Sequence, residues 1–303
     1  MITRRAALTL LSSTLVAPHL AARPAAQAVP LRPKLAGTLR LTARGRAAKP
    51  TGTETVQPYE RTLEWNVSET AIIVCDMWND HYCVSAARRV VEMVPRLNEV
   101  LAAARRFGIA VIHAPSSTMD FYKDTPQRRR AMAAPPLTPP VPIARWCYLD
   151  KNAEAPLPID DTGEPCDDAV GRGHVRMYSR QHPDIVIGPQ DAISSIGQEI
   201  YNYCEQLGIR NIVMTGVHAN MCILGRPFGI RQQKRLGRNV VLVRDLTDAM
   251  YDPRDEPYVS HQRGTEMVIE HIEQFWCPSI LSKDLLSIVP GSGRERHSVS
   301  SGA

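Results

Sequence analysis

Downstream of residue 28, no apolar run in this 303-residue chain is long enough for a helix to cross a bilayer. Basic residues are nowhere interleaved with aromatics, so the footprint of a nucleic-acid-binding surface is missing. Lysine is absent from the whole stretch between Lys151 and Lys234. There is also no closely spaced histidine pair of the kind that holds zinc. The best set that can be assembled is Asp80, His81 and His113, with Asp120 further on, and no metal or other cofactor is expected. What the chain does have is an odd number of cysteines: Cys75, Cys83, Cys147, Cys166, Cys204, Cys222 and Cys277. At least one is therefore free or intermolecular. Cys147 and Cys166 flank a polar, proline-containing stretch and are the pair expected to form a disulfide; the alternative is that both are reduced.

The first 28 residues carry Arg4 and Arg5, an apolar run from Ala6 to Val16, and "AQA" before residue 29. This layout is that of an export signal, and the paired arginines resemble the twin-arginine type. Removing it would take Arg4, Arg5 and Arg23 and lower the formal net charge from +5 to +2. An exported, periplasmic protein is the expectation. Residues 29–65 read as an extended arm or edge hairpin, because "GTLRLTARG" alternates in the manner of a strand.

The main domain is expected over residues 66–288, with a disordered tail at 289–303. Ala71 to Cys75 is a continuous apolar run, the mark of a strand buried on both faces. Val90, Val94, Leu97, Val100, Leu101 and Ala104 then recur at helical spacing, and Gly108 supplies a stop. Pro95 falls inside that helix and predicts a break or kink nearby. "IAVIHAPS" is a second strand. Further on, "DIVIG", "RNIVMTG" and "RNVVLVRD" read as strands. "SSIGQEIYNYCEQLGI", "ILGRPFGIRQQKRLG" and "GTEMVIEHIEQFW" read as helices, with Gly225 and Pro227 weakening the first turn of the second. Strand–helix–strand order of this kind predicts a parallel sheet with right-handed crossovers. Between its halves lies a long insertion, residues 118–183. The arginine run at 128–130 reads as solvated, whereas "ARWCYLD" needs burial.

Two residues stand where chemistry is usually done. Asp76 ends the first core strand, and Cys222 follows the strand "NIVMTG" after a tight turn. Ligands of parallel sheets bind outside the carboxyl ends of strands. A cysteine at a helix N-terminus also lies near free amides and the positive end of the dipole, which favours thiolate. Taken singly, Asp76 reads as a helix cap and Cys222 as a small buried apolar residue, like Cys75, Cys204 and Cys277.

Together, "AIIVCDMWNDHYC" and "IVMTGVHANMCILG" resemble the isochorismatase-like cysteine hydrolase superfamily, which includes nicotinamidases and other amide-cleaving enzymes. The resemblance covers roughly residues 69–278. It implies a three-layer α/β/α sandwich with a mainly parallel central sheet. It also implies Cys222 as nucleophile, Asp76 as base, a cis peptide joining Val217 and His218, and a homo-oligomer. The substrate would be a small molecule with an amide or related C–N bond, cleaved through an acyl-enzyme. A lysine completes such sites, but the matching place, Gly188 or its neighbours Pro189 and Gln190, has none. Arg180, His182 or His218 could stand in. Trp78, His81 and Tyr82 could wall the substrate pocket, with Val217 at the oxyanion. Arg226 could hold a substrate carboxylate, or pair with an acid such as Asp245, the commoner use. The competing readings are a binding or assembly protein on an eroded scaffold, and a hydrolase of the same type acting on a non-amide substrate.

Overall fold

The computed structural model describes residue 32 and residues 35–48, 56–163, 165–169 and 178–289. The expected export signal, and all of the expected tail except Val289, lie outside the described residues. The backbone of Val289 pairs with that of Thr38.

Eight strands form one sheet, in the order β2-β1-β8-β7-β6-β3-β4-β5. They are β1 (Thr38–Ala48), β2 (Val56–Asn66), β3 (Thr70–Cys75), β4 (Ala110–Ala114), β5 (Ala192–Ile193), β6 (Asn211–Val217), β7 (Asn239–Asp248) and β8 (Ser279–Ile280). Neighbouring strands from β8 to β5 are parallel, whereas β1 pairs antiparallel with both β2 and β8. The helices are α1 (Val84–Phe107), α2 (Met119–Tyr122), α3 (Pro126–Met132), α4 (Gly197–Leu207), α5 (Cys222–Gly225), α6 (Ile230–Arg235) and α7 (His261–Phe275).

Every residue of β3 is buried, because successive side chains serve opposite faces of the sheet. Ile72 and Val74 pack with the apolar stripe of α1, whereas Ala71, Ile73 and Cys75 belong to the core that contains Ile200, Ile230 and Val268. Two cores on two faces make the three-layer α/β/α sandwich that the resemblance implied. Pro95 does not break α1, which runs for 24 residues and ends at left-handed Gly108. Pro95 is exposed, and the carbonyl it leaves without a donor belongs to exposed Val91. Burying Val90, Val94, Leu97, Val100 and Leu101, at about 1.5–3 kcal/mol each, outweighs the roughly 3 kcal/mol cost of an interior proline.

The arm is a hairpin of two 11-residue strands joined to the sheet through β8. Leu39, Leu41 and Ala43 point into the core. Arg44 and Arg46 point the other way, to α7, where both bind the fully buried Glu273 carboxylate. "DIVIG" is not a strand; β5 forms four residues later, at Ala192–Ile193. The helix expected after Cys222 is two short ones, α5 and α6, interrupted by Arg226–Gly229.

The insertion departs most from expectation. Its arginine run is α3, and Arg128 and Arg130 are buried rather than solvated. Arg128 binds the Glu199 carboxylate and Arg130 the Asp191 carbonyl, so two of the three arginines anchor the insertion to the sheet edge. Cys147 is buried and free, and the disulfide links Cys83 to Cys166 instead, with Cα atoms 5.5 Å apart. Cys147 is fixed elsewhere, its N–H donating to the Gly225 carbonyl at 2.7 Å. Asp168 accepts from the amides of Val84 and Ser85, capping α1 beside the disulfide. Glu154 accepts from Arg231 twice, and from His271 and Trp276, at 2.7–2.9 Å. Burial opposes the Glu154 charge, but these donors prevail and hold its pKa down at about 2.

Two outcomes follow. Peptide mapping under non-reducing conditions should recover Cys83 joined to Cys166, with Cys147 alkylated only after unfolding. Glu154→Ala should lower unfolding stability by about 3–5 kcal/mol in urea titrations, because it strands a buried guanidinium. Since the folded pKa of Glu154 lies below its ordinary 4.5, its contribution is present above that pH and is lost as pH falls toward 2.

Candidate active site

The carboxyl ends of β3, β4 and β6 meet at one rim, because β3 lies between the other two. Asp76 follows β3 directly, with φ of 48° in the left-handed region that aspartate tolerates better than most residues. Gly216, opposite Cys75 on β6, has φ of 106°. A Cβ there would lie 2.0 Å from the Cys75 carbonyl oxygen, so only glycine lets the strands pass this closely. The next peptide, Val217–His218, is cis, as the resemblance implied. A turn through Ala219–Met221 then delivers Cys222 to the start of α5. Cys222 is 7% exposed and Asp76 fully buried.

The Asp76 carboxylate is held from two sides. Its Oδ1 accepts from the Ser116 amide at 2.6 Å, and its Oδ2 from Arg226 Nε at 3.0 Å. The charges of Asp76 and Arg226 both act on the neighbouring Cys222 thiol. Four residues after Cys222, Arg226 sits just beyond α5 and also lies over the Trp146 ring at 5.4 Å. Arg226 is thus the cation at this site. Of the two uses considered for it in sequence, the structure shows the commoner, an ion pair with an acid, but the acid is Asp76; Asp245 instead accepts from the amide and hydroxyl of Ser282. The signal that could have found it is the four-residue spacing to Cys222, one helical turn.

The sulfur is not pre-ionised. Burial first, and then the Asp76 charge, push the Cys222 pKa well above that of a free thiol, while Arg226 works in the opposite direction. The expected help from a helix N-terminus fails because α5 is a single turn. Burial opposes the Arg226 charge, but the Asp76 carboxylate beside it raises its pKa. A neutral thiol therefore faces a carboxylate already paired with a cation.

None of the other candidate cations reaches this position. His218 is buried, its Nε2 has no partner, and its pKa is held down at about 3. Desolvation is the main cause; Asp248 opposes it, while His81, Arg89 and His261 add to it. His218 is thus a neutral imidazole and cannot replace the lysine as a charge. The Arg180 guanidinium lies over the Phe121 ring at 5.3 Å, and His182 Nδ1 accepts from the Asp184 amide. Both belong to a strap, residues 178–182, laid across the loop after β3: the His182 amide donates to Met77, and the Asn79 amide to Arg180. Correcting the strand to β5 leaves Ser194 and Ser195 at its carboxyl end, again without a lysine.

Trp78 is buried, stacks on Tyr178 at 4.3 Å and donates from Nε1 to the Ser116 carbonyl, so it braces the Asp76 loop. His81 accepts from the Cys83 amide and packs edge-on to His218 at 5.1 Å. Tyr82 reaches the Pro165 carbonyl. The Val217 side chain is in the core on the α1 face. His113 is fully buried, with its ring nitrogens bonded to Gln181 and Asp191, and Asp120 is exposed. These contacts take His113 out of the set considered for a metal with Asp80 and His81.

A cavity of about 510 Å³ opens beside Arg226 and is lined by Ser116, Arg145, Trp146, Tyr148 and Ser195, among others. Another cavity, of about 590 Å³, lies between α1 and α7 around Arg89 and His261; Asp76 and Cys222 line neither of the two.

A parallel sheet that gathers a carboxylate, a cation and a thiol at one rim has the layout of a cysteine hydrolase scaffold. The sequence model of the isochorismatase domain matches residues 70–267, and the chain belongs to that family of hydrolases. Among solved structures it is similar to a cysteine hydrolase from Pseudomonas syringae pv. phaseolicola 1448A, with 16% identity, a TM-score of 0.43, and coverage of 73% of this chain and 92% of that one. An isochorismatase family protein from Burkholderia thailandensis has 16% identity, a TM-score of 0.40 and coverage of 72% and 96%. An isochorismatase-like hydrolase from Alkaliphilus metalliredigens has 13% identity, a TM-score of 0.42 and coverage of 73% and 98%. No curated protein matches the chain.

The raised Cys222 pKa has a direct consequence for labelling. Iodoacetamide should modify Cys222 slowly at neutral pH, with a labelling midpoint above the roughly 8.5 of free cysteine. Arg226→Gln should move that midpoint further up; a midpoint below that of free cysteine would contradict the geometry.

Proposed function

We propose that the protein hydrolyses an amide or related C–N bond of a small molecule, with Cys222 as nucleophile and Asp76 as base. The observation that carries this reading is a buried Cys222 thiol at the same rim as Asp76, whose carboxylate acts on it and is already neutralised by Arg226. Asp76 keeps a free lone pair on each oxygen. As the sulfur attacks the substrate carbonyl carbon, its proton passes to Asp76 and a C–S bond forms. The oxyanion is taken up by the backbone N–H groups of His218 and Cys222, which donate to no backbone carbonyl among the described residues. Asp76 returns the proton to the departing nitrogen, the C–N bond breaks, and a thioester remains. Water, giving a proton to Asp76, attacks the thioester; the C–S bond breaks, the acid leaves and the thiol is restored.

Arg226 cannot carry protons, so it acts as a fixed charge: it orients Asp76 and offsets the thiolate that forms during attack. Its presence supports an active enzyme over an eroded scaffold, since the cation is relocated rather than missing. Export to an oxidising compartment is part of the same proposal, and the Cys83–Cys166 disulfide supports it. So is homo-oligomer formation.

Screening small amides should reveal turnover that Cys222→Ala abolishes. Asp76→Asn should lower kcat by about 10³-fold or more, in keeping with loss of the proton-transfer group. Arg226→Lys should retain part of the activity that Arg226→Gln loses. Turnover that survives Cys222→Ala would end the proposal.

A further inference from the structure

The cavity beside Arg226 carries charge of one sign only. Among its lining residues are two arginines, Arg145 and Arg226, the hydroxyls of Ser116 and Ser195, and the ring of Trp146; no aspartate or glutamate is among them. The neighbouring cavity beyond Trp146 differs, because Asp160 and Asp161 line it. Arg226 is committed to Asp76. Arg145 is not committed to anything: it is exposed, and neither a carboxylate nor a carbonyl takes its guanidinium among the described residues. Ser116 is the second mark of an unfilled site. It is 4% exposed, its amide holds Asp76, and its buried Oγ has no hydrogen-bond partner. A buried hydroxyl without a partner is uncommon and points to a ligand group that completes it.

Resting on the hydrolase reading above, we propose that the substrate carries a carboxylate and that Arg145 is the specificity-determining residue that binds it. The guanidinium fork matches a carboxylate, and the cavity contains no acid to compete. Ser116 Oγ, one residue-length from the Asp76 pair through its own backbone, would donate to the end of the substrate nearest the thiol. The flat face of Trp146 would lie along the substrate between them. Arg145 comes from the insertion rather than from the sheet, so this selectivity is a property of that segment. Because Arg145 stays partly solvated, its effect is one of discrimination rather than of tight binding.

The test uses binding, so that it does not depend on turnover. The full-length Cys222→Ala protein is titrated calorimetrically with two pairs of probes, succinamate against succinamide and phthalamate against phthalamide. In each pair, one amide is exchanged for a carboxylate at nearly constant size. The expected result is tighter binding of the carboxylate member in at least one pair, by about five-fold or more, shrinking as salt is added. Arg145→Gln in the same background should remove that preference, and Arg145→Lys should restore part of it. Equal binding of both members in both pairs, absence of binding by all four, or a preference unchanged in Arg145→Gln would each overturn the proposal. If the preference holds while the protein with Cys222 intact turns over no amide, the carboxylate site stands and the hydrolase reading fails.

Discussion

The contact between Asp76 and Arg226 organises the site. A carboxylate with no solvent exposure is costly unless a counter-charge and hydrogen bonds surround it. Here Arg226 supplies the charge at 3.0 Å and the Ser116 amide the shortest bond. The two partners follow neighbouring strands, Asp76 the end of β3 and Arg226 the turn after β6 that carries Cys222. Their attraction therefore draws the cysteine turn against the sheet. The thiol lies between them and feels both: the carboxylate keeps its proton on, and the guanidinium limits how far that goes. On the proposed mechanism such a thiol becomes a nucleophile only when substrate is attacked, with Asp76 beside it as the base.

The insertion works as a set of clamps. Arg128 and Arg130 fix its start to the edge of the sheet, Glu154 fixes its middle to α6 and α7, and the strap at 178–182 fixes its end over the Asp76 loop. The disulfide and the Asp168 cap tie residues 165–169 to the start of α1. The charged and covalent links act together with the neutral backbone bonds of the strap and with apolar side chains such as Leu157 and Ile159, and so hold Trp146 and Cys147 against the cysteine turn. Gly225 makes that closeness possible, since a Cβ there would come within 2.5 Å of the Trp146 ring.

Moving the cation from the sheet to the cysteine's own segment changes what it can do. An arginine stays charged through the whole reaction and offers a planar fork, one part of which holds Asp76 while the guanidinium faces Trp146. Position and charge are then set together, and in the proposed mechanism proton movement falls to Asp76. The vacated end of β5 presents Ser194 and Ser195, and Ser195 becomes a wall of the cavity rather than a participant at the sulfur.

The sequence by itself determined the layers. The apolar run of β3, the stripe of α1 and the parallel order of strands are local patterns whose periods dictate which face is buried. They also place Asp76 and Cys222 at strand ends, and a parallel sheet brings strand ends to one rim. Local pattern could not identify the cation, because Arg226 reaches Asp76 across 150 residues of chain, and only folding decides which acid lies within reach. The same holds for Arg128 and Arg130, which read as solvated until the edge of β5 meets them, and for Cys83, whose partner is chosen by where the insertion returns. Pairing energies of charges and thiols depend on three-dimensional distance and solvent exclusion, and neither quantity is written in the order of residues.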